Sequence, residues 1–178
     1  VETKIDLTSS KAFDISQQSI DYMDSLTEPV EIVTMADEAM FSTSSYIYYK
    51  QAYEVLKKYA VCSDNVTVKF VDMTKDPTYV NKYSMIYKGA INPYSIVVAC
   101  GNRIKVFSIN ELYNIETDQS GNGRISSSKA EQVITSAIMF VTNPDPIKAV
   151  IFSSESAGGS ADNVTALLSS NGYETVSL

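Results

Sequence analysis

The sequence predicts an α/β fold around a mixed sheet, and three observations carry that reading. Two alternating apolar runs, Val30-Glu31-Ile32-Val33-Thr34-Met35 and Val66-Thr67-Val68-Lys69-Phe70-Val71, flank an amphipathic stretch. In that stretch Tyr48, Ala52, Val55, Leu56 and Tyr59 recur at i, i+4, i+7, i+8 and i+11, the stripe of a helix packed on one side. Strand, helix and strand in that order form a crossover, which favours parallel pairing. Two further strands, 95–100 and 103–107, are separated only by Gly101-Asn102, a two-residue hairpin turn.

The other elements follow in chain order. Residues 1–15 have no clear period and read as an extended lead-in. Ser16 is placed to cap a short helix reaching Leu26, since Ile20, Met23 and Leu26 recur every three residues and Pro29 follows. The first strand, with one half-buried face expected, leads into a loop of small and acidic residues at 36–45. Asp76-Pro77 is read as the start of a helix running to about Tyr87 and stopped by Gly89. After the hairpin come a brief helical turn and a polar loop at 116–126. Ser128-Lys129-Ala130-Glu131 matches a capping box ahead of a helix striped by Val133, Ile134, Ala137, Ile138 and Val141. Asn143-Pro144-Asp145-Pro146 reads as a boundary. Ala149-Val150-Ile151-Phe152 is a further strand, a helix carries Val164, Leu167 and Leu168, and another strand begins at Tyr173.

This order fits a thioredoxin-like three-layer α/β sandwich over 29–143, preceded by a lead-in and short helix at 1–28. It is followed at 147–178 by the start of a second, flavodoxin-like α/β unit, expected to be truncated. In a thioredoxin-like fold a proline precedes the hairpin, and Pro93 occupies that place. A cis peptide there costs only about 1 kcal/mol, so a cis bond is an available expectation. Redox cysteines would lie between the first strand and its helix, but Asp37-Glu38-Ala39-Met40-Phe41-Ser42-Thr43-Ser44-Ser45 holds no thiol.

Composition narrows the chemistry. The chain of 178 residues carries a net charge of −7, and a surface of that sign repels phosphate backbones, so nucleic acid is not an expected partner. With no histidine, neither a Ser-His-Asp nor a Cys-His set can be assembled, nor a histidine-ligated zinc site. Cys62 and Cys100 are too few for a disulfide framework and too far apart for a CxxC motif. No cofactor and no catalytic residue is expected. No run approaches the roughly 20 apolar residues of a membrane span. A start at Val1 rather than Met fits a leader or anchor ahead of it.

The candidate sites are therefore surface features. Asp37, Glu38 and the loop around them, Tyr46, Tyr49 and Tyr53 lying off the helix stripe, and the approach to Pro93 form a candidate partner-binding face, because tyrosine is enriched in interface cores. Asp118, Ser120 and Asn122, with Gly123 and Ile125, resemble the front of an EF-hand loop, but Lys129 stands where a bidentate carboxylate is needed. The loop at 153–160 sits where phosphate loops occur, yet lacks their lysine and glycine spacing. Asn65-Val66-Thr67 and Asn163-Val164-Thr165 are glycosylation sequons. Two other classes stay open: a thiol redox protein using Cys62 or Cys100, and a calcium- or small-ligand-binding module at 118–122.

Several stretches in order carry a family resemblance. They are Ile5-Asp6-Leu7-Thr8 with Phe13-Asp14-Ile15-Ser16, Leu26-Thr27-Glu28-Pro29-Val30-Glu31-Ile32, and Val68-Lys69-Phe70-Val71-Asp72 with Asp76-Pro77. Further on stand Gly101-Asn102-Arg103-Ile104-Lys105-Val106, Glu131-Gln132-Val133-Ile134-Thr135-Ser136-Ala137-Ile138 and Lys148-Ala149-Val150-Ile151-Phe152. Together they resemble the extracytoplasmic part of gliding-motility-type auxiliary proteins of bacterial ABC transport systems. The resemblance implies a cell-membrane protein anchored by a helix outside this chain, this region being extracytoplasmic. It also implies a thioredoxin-like domain without redox cysteines, and an ABC permease and ATPase as partners. It supplies no catalytic residue. Relatives often carry Gly-His-Gly-Glu where this chain has Ser154-Glu155-Ser156-Ala157-Gly158, so a ligand role of that segment does not carry over.

Overall fold

The computed structural model describes residues 14–117, 121–143, 145, 148–151, 164, 168 and 173–177. The chain divides into two compact units, 1–141 and 142–178. Among the described residues no helix is long and apolar enough to cross a membrane.

The larger unit is a mixed α/β sandwich. Helix α1 (Gln17–Asp24) is capped by Ser16, whose hydroxyl accepts the Ser19 N–H. Strands β1 (Val30–Thr34) and β2 (Val66–Phe70) pair in parallel across α3 (Ile47–Cys62), as a short crossover requires. Strands β3 (Ser95–Cys100) and β4 (Arg103–Ser108) form the expected hairpin around Gly101-Asn102. Gly101 has φ +56°, the geometry for which glycine suits the first turn position. The sheet order is β2-β1-β3-β4, with β3 antiparallel to β1.

One sheet face presents Val30, Ile32, Ile96 and Val98 to a core built with α1, α3 and helix α4 (Ala130–Thr142). The expected stripe on α3 is buried from Ala52 to Tyr59, while Tyr48 is half-buried and its hydroxyl donates to the Ser126 carbonyl at 2.9 Å. The opposite face, carrying Val33, Met35, Val97 and Ala99, is also covered. Its cover is the segment after β2, so β1 is buried on both faces rather than half-buried on one.

That covering segment corrects the helix expected from Asp76 to Tyr87. Only a 3₁₀ helix, Tyr79–Tyr83, forms, and the flanking turns close through i→i+3 bonds such as Ile86 N–H to the Tyr83 carbonyl. Val80, Tyr83 and Ile86 stand three residues apart, the repeat of a 3₁₀ turn, and all pack against the sheet. Glu31 pins the segment. Its Oε1 accepts from Lys69 at 2.8 Å and from the Tyr79 hydroxyl at 3.3 Å, and its Oε2 from Lys82 at 2.7 Å and the Tyr83 hydroxyl at 2.8 Å.

Three further expectations change. Residues 116–117 and 123–126 of the expected polar loop at 116–126 are strand instead, part of a second hairpin, β5 (Tyr113–Thr117) with β6 (Gly123–Ser128), with a register shift at Asn114/Ile115. The capping box at Ser128 is absent: Ser128 Oγ accepts the Ala130 N–H at 3.3 Å, but the Glu131 carboxylate turns to Ser16 and Ser19 of the α1 region. A box forms instead at Ser108 and Glu111, on the 3₁₀ turn Ile109–Leu112. No described peptide bond is cis, so the bond before Pro93 is trans.

In the smaller unit, β7 (Lys148–Ile151) and β8 (Glu174–Ser177) pair in parallel, and Val164 and Leu168 are helical. The lead-in at 1–13, the loop at 153–160 and the sequon Asn163 lie outside the described residues. Asn65 of the other sequon has a structural use: its side-chain amide donates to the Leu26 carbonyl at 2.7 Å.

Candidate interaction face at the end of strand β1

Strand β1 delivers its carboxyl end to the candidate face. Beyond Thr34, the Met35 N–H donates to Ser95 and its carbonyl accepts from Tyr94, so two residues oppose one in a bulge. Ser95 N–H closes on the Asn92 carbonyl, and Tyr94, after Pro93, has φ +66°. This is a type II turn with tyrosine where glycine or asparagine is usual. Tyr94 stands 53% exposed. The bulge therefore brings Pro93 and Tyr94 beside the chain that leads into Asp37.

Residues 37–45, expected as loop, contain the short helix α2 (Glu38–Ser42). Asp37 caps it, its Oδ1 accepting the Ala39 N–H at 3.0 Å. That bond, and then Lys75, hold the Asp37 carboxyl below its ordinary range. Lys75 spans Asp37 at 3.2 Å and Asp72 at 3.1 Å, tying α2 to the segment after β2. Glu38 accepts the Tyr53 hydroxyl at 2.9 Å and lies 3.9 Å from Lys57. The bond to Glu38 raises the Tyr53 hydroxyl pKa.

Beneath α2 runs a continuous aromatic row. Tyr46 meets Tyr49 edge-on at 6.1 Å, Tyr49 meets Tyr113 at 5.7 Å and Phe41 at 5.9 Å, and Phe41 meets Phe70 at 5.7 Å. Phe70 in turn meets Tyr53 at 5.8 Å. Such edge-on pairs add about 0.5–1.5 kcal/mol each to their burial. The row corrects the expectation of three exposed tyrosines: Tyr49 and Tyr53 are half-buried, and only Tyr46, 69% exposed, continues the row into solvent. Ile47 beside it and Ile115 on β5 are also exposed.

The structure thus gathers Asp37, Glu38, Tyr46, Tyr49, Tyr53 and Pro93 at one end of the sheet. Tyr94 was missed in the sequence. Its signal is the Asn-Pro-Tyr-Ser turn, in which the residue after proline needs positive φ. A second overlooked signal is charge: residues 77–110 hold Lys82, Lys88, Arg103 and Lys105 but no Asp or Glu.

Both thiols are free and belong to the opposite end of the sheet. Cys62 ends α3, and Cys100 pairs with Val30 at the start of β1. Burial raises the Cys62 thiol pKa. Burial, then the bond to Glu28, raises Cys100 to about 11. Little thiolate forms at neutral pH in either case. Of the calcium candidate, Asp118 and Ser120 lie outside the described residues, and Asn122 lies just before β6. Among the described residues no three His, Cys, Asp or Glu side chains converge as a metal site.

Fold and face define a mixed α/β domain whose β1–α3 junction presents aromatic and ion-paired side chains. The chain belongs to the family described as a domain of unknown function, DUF7088, whose model matches residues 9–135. No curated protein matches it.

Proposed function

We propose that this chain is a non-catalytic, extracytoplasmic interaction domain of a membrane-anchored accessory subunit of a bacterial ABC transport system. Its contact face is the carboxyl end of β1. The single observation that carries the reading is the aromatic row that surfaces at Tyr46 at one end and meets the Glu38 carboxylate through Tyr53 at the other. Exposed aromatics on a rigid base are what protein interfaces use as anchors.

Two further points support it. The order β2-β1-β3-β4, with a parallel crossover and an antiparallel hairpin, suits a thioredoxin-like arrangement, and partners meet that fold at this end. The family resemblance of the ordered segments points to a permease and an ATPase as partners. The thiol redox reading is disfavoured by the raised pKa of both cysteines and by their distance along the fold from the β1–α3 junction.

The test is chemical crosslinking of the tagged full-length protein in its native membrane, followed by mass spectrometry. Co-purification of a permease and its ATPase, with crosslinks to the permease in this region, is the expected result. Recovery of thiol-linked soluble proteins without a transporter component would overturn the reading.

A further inference from the structure

Strand β4 ends the sheet order β2-β1-β3-β4, so one of its edges faces no neighbouring strand. Which groups lie on that edge follows from the ladder. The Ile109 N–H donates to the Tyr94 carbonyl at 2.8 Å, and this bond fixes the alternation of the antiparallel pairs behind it. Phe107, Lys105 and Arg103 therefore turn their backbone groups to β3, whereas Ser108, Val106 and Ile104 turn theirs outward. The Ser108 N–H is already served, since it donates to Glu111 Oε1 at 3.0 Å. The N–H and C=O groups of Ile104 and Val106 take no partner among the described residues. The two faces beside them differ. On one, Ile104 and Val106 are half-buried against the cluster around Val33 and Val97. On the other, the Arg103 guanidinium and the Lys105 ammonium stand 5.1 Å and 5.3 Å from the centre of the Phe140 ring. The stretch 77–110 contributes cations and no carboxylate, and the next one along the chain, Glu111, is bonded to Ser108.

We propose that this edge accepts an extended segment of another protein in which carboxylate and apolar side chains alternate. The backbone of such a segment pairs with Ile104 and Val106, adding a strand to an open edge. Because side chains alternate across a sheet, its apolar residues then lie beside Ile104 and Val106. Its carboxylates lie beside Arg103 and Lys105 on the Phe140 face, where opposite charges attract across the strands. A second copy of this chain suits the edge poorly. Two-fold pairing through these groups sets Lys105 against Lys105, or Arg103 against Lys105, and like charges directly opposite destabilise a sheet. The edge is open to an acidic segment whether or not the end of β1 meets a transporter.

The test is an NMR titration of the isotope-labelled chain with three capped peptides of about seven residues. One alternates glutamate with valine, one alternates lysine with valine, and one is the glutamate peptide methylated at every backbone amide. The glutamate peptide is expected to shift the Ile104 and Val106 amides most and to slow their exchange with solvent. The lysine peptide is expected to bind about tenfold more weakly. The methylated peptide keeps its charge, loses its donors and is expected not to bind. Lys105→Glu is expected to weaken the glutamate peptide about fivefold. The three peptides probe the unaltered chain, so the outcome does not depend on how that variant folds. Absence of shifts with the glutamate peptide at about 2 mM, shifts confined to other strands, or equal binding by the lysine or methylated peptide would overturn the proposal.

Discussion

Glu31 faces four donors on the covered side of the sheet. Burial alone would raise its carboxyl pKa, but the bonds from Lys69, Lys82 and Tyr83 outweigh it and hold the group at about 2, against an ordinary 4.5. A carboxyl lowered on folding stabilises the native state above its unfolded pKa and loses that contribution as pH falls through the folded one. The window here therefore runs from about 4.5 down to about 2. Glu31→Gln is expected to lower stability by about 2 kcal/mol at neutral pH, with the gap closing near pH 2, as read by urea denaturation. A gap that does not change with pH would contradict the assignment. Tyr94 is the other residue set apart by its surroundings. A non-glycine residue in the left-handed region costs about 1–2 kcal/mol, part of which glycine gives back through its freer unfolded chain. Tyr94→Gly is expected to raise the urea midpoint slightly while weakening partner crosslinking. A lowered midpoint would show that the tyrosine ring packs more than it strains.

At the scale of elements, what was legible was what repeats with a clear period. The α3 stripe and the Gly101-Asn102 turn follow from local spacing, because burial of one face and a two-residue loop leave few alternatives. The 3₁₀ segment was misread because Val80, Tyr83 and Ile86 at spacing three also satisfy a loose helical template, whereas Glu31, from a distant strand, decides how the segment lies. The β5–β6 hairpin hid because four of the five β5 residues are exposed, so no apolar alternation announces it. Glu131 was assigned to its own helix cap, but a tertiary partner, Ser19, won the carboxylate. The aromatic row shows the same dependence on tertiary context: Tyr49 and Tyr53 look free on a helical wheel and are half-covered by Phe41, Phe70 and Tyr113. Within that row the Tyr113 hydroxyl is buried with no hydrogen-bond partner among the described residues. Tyr113→Phe is therefore expected to raise stability by about 1 kcal/mol, seen as a higher melting temperature. A lower one would mean that the hydroxyl has a partner.

At the scale of the molecule, a chain of net charge −7 distributes that charge unevenly, since residues 77–110 contribute four cations and no carboxylate. The end of β1 collects side chains from widely separated positions, Asp37, Tyr46 and Tyr94 among them. The sequence supplied the candidates Asp37, Glu38 and Pro93, but only the bulge at Tyr94 and Ser95 explains why they share one end. The central claim is that this end is a contact face for a membrane partner. The most direct measurement is site-specific photo-crosslinking in the native membrane from positions 46, 94 and 61, the last being an 82% exposed valine at the far end of α3. The account predicts permease adducts from 46 and 94 and none from 61. Adducts from 61 alone, or equal yields from all three positions, would contradict it.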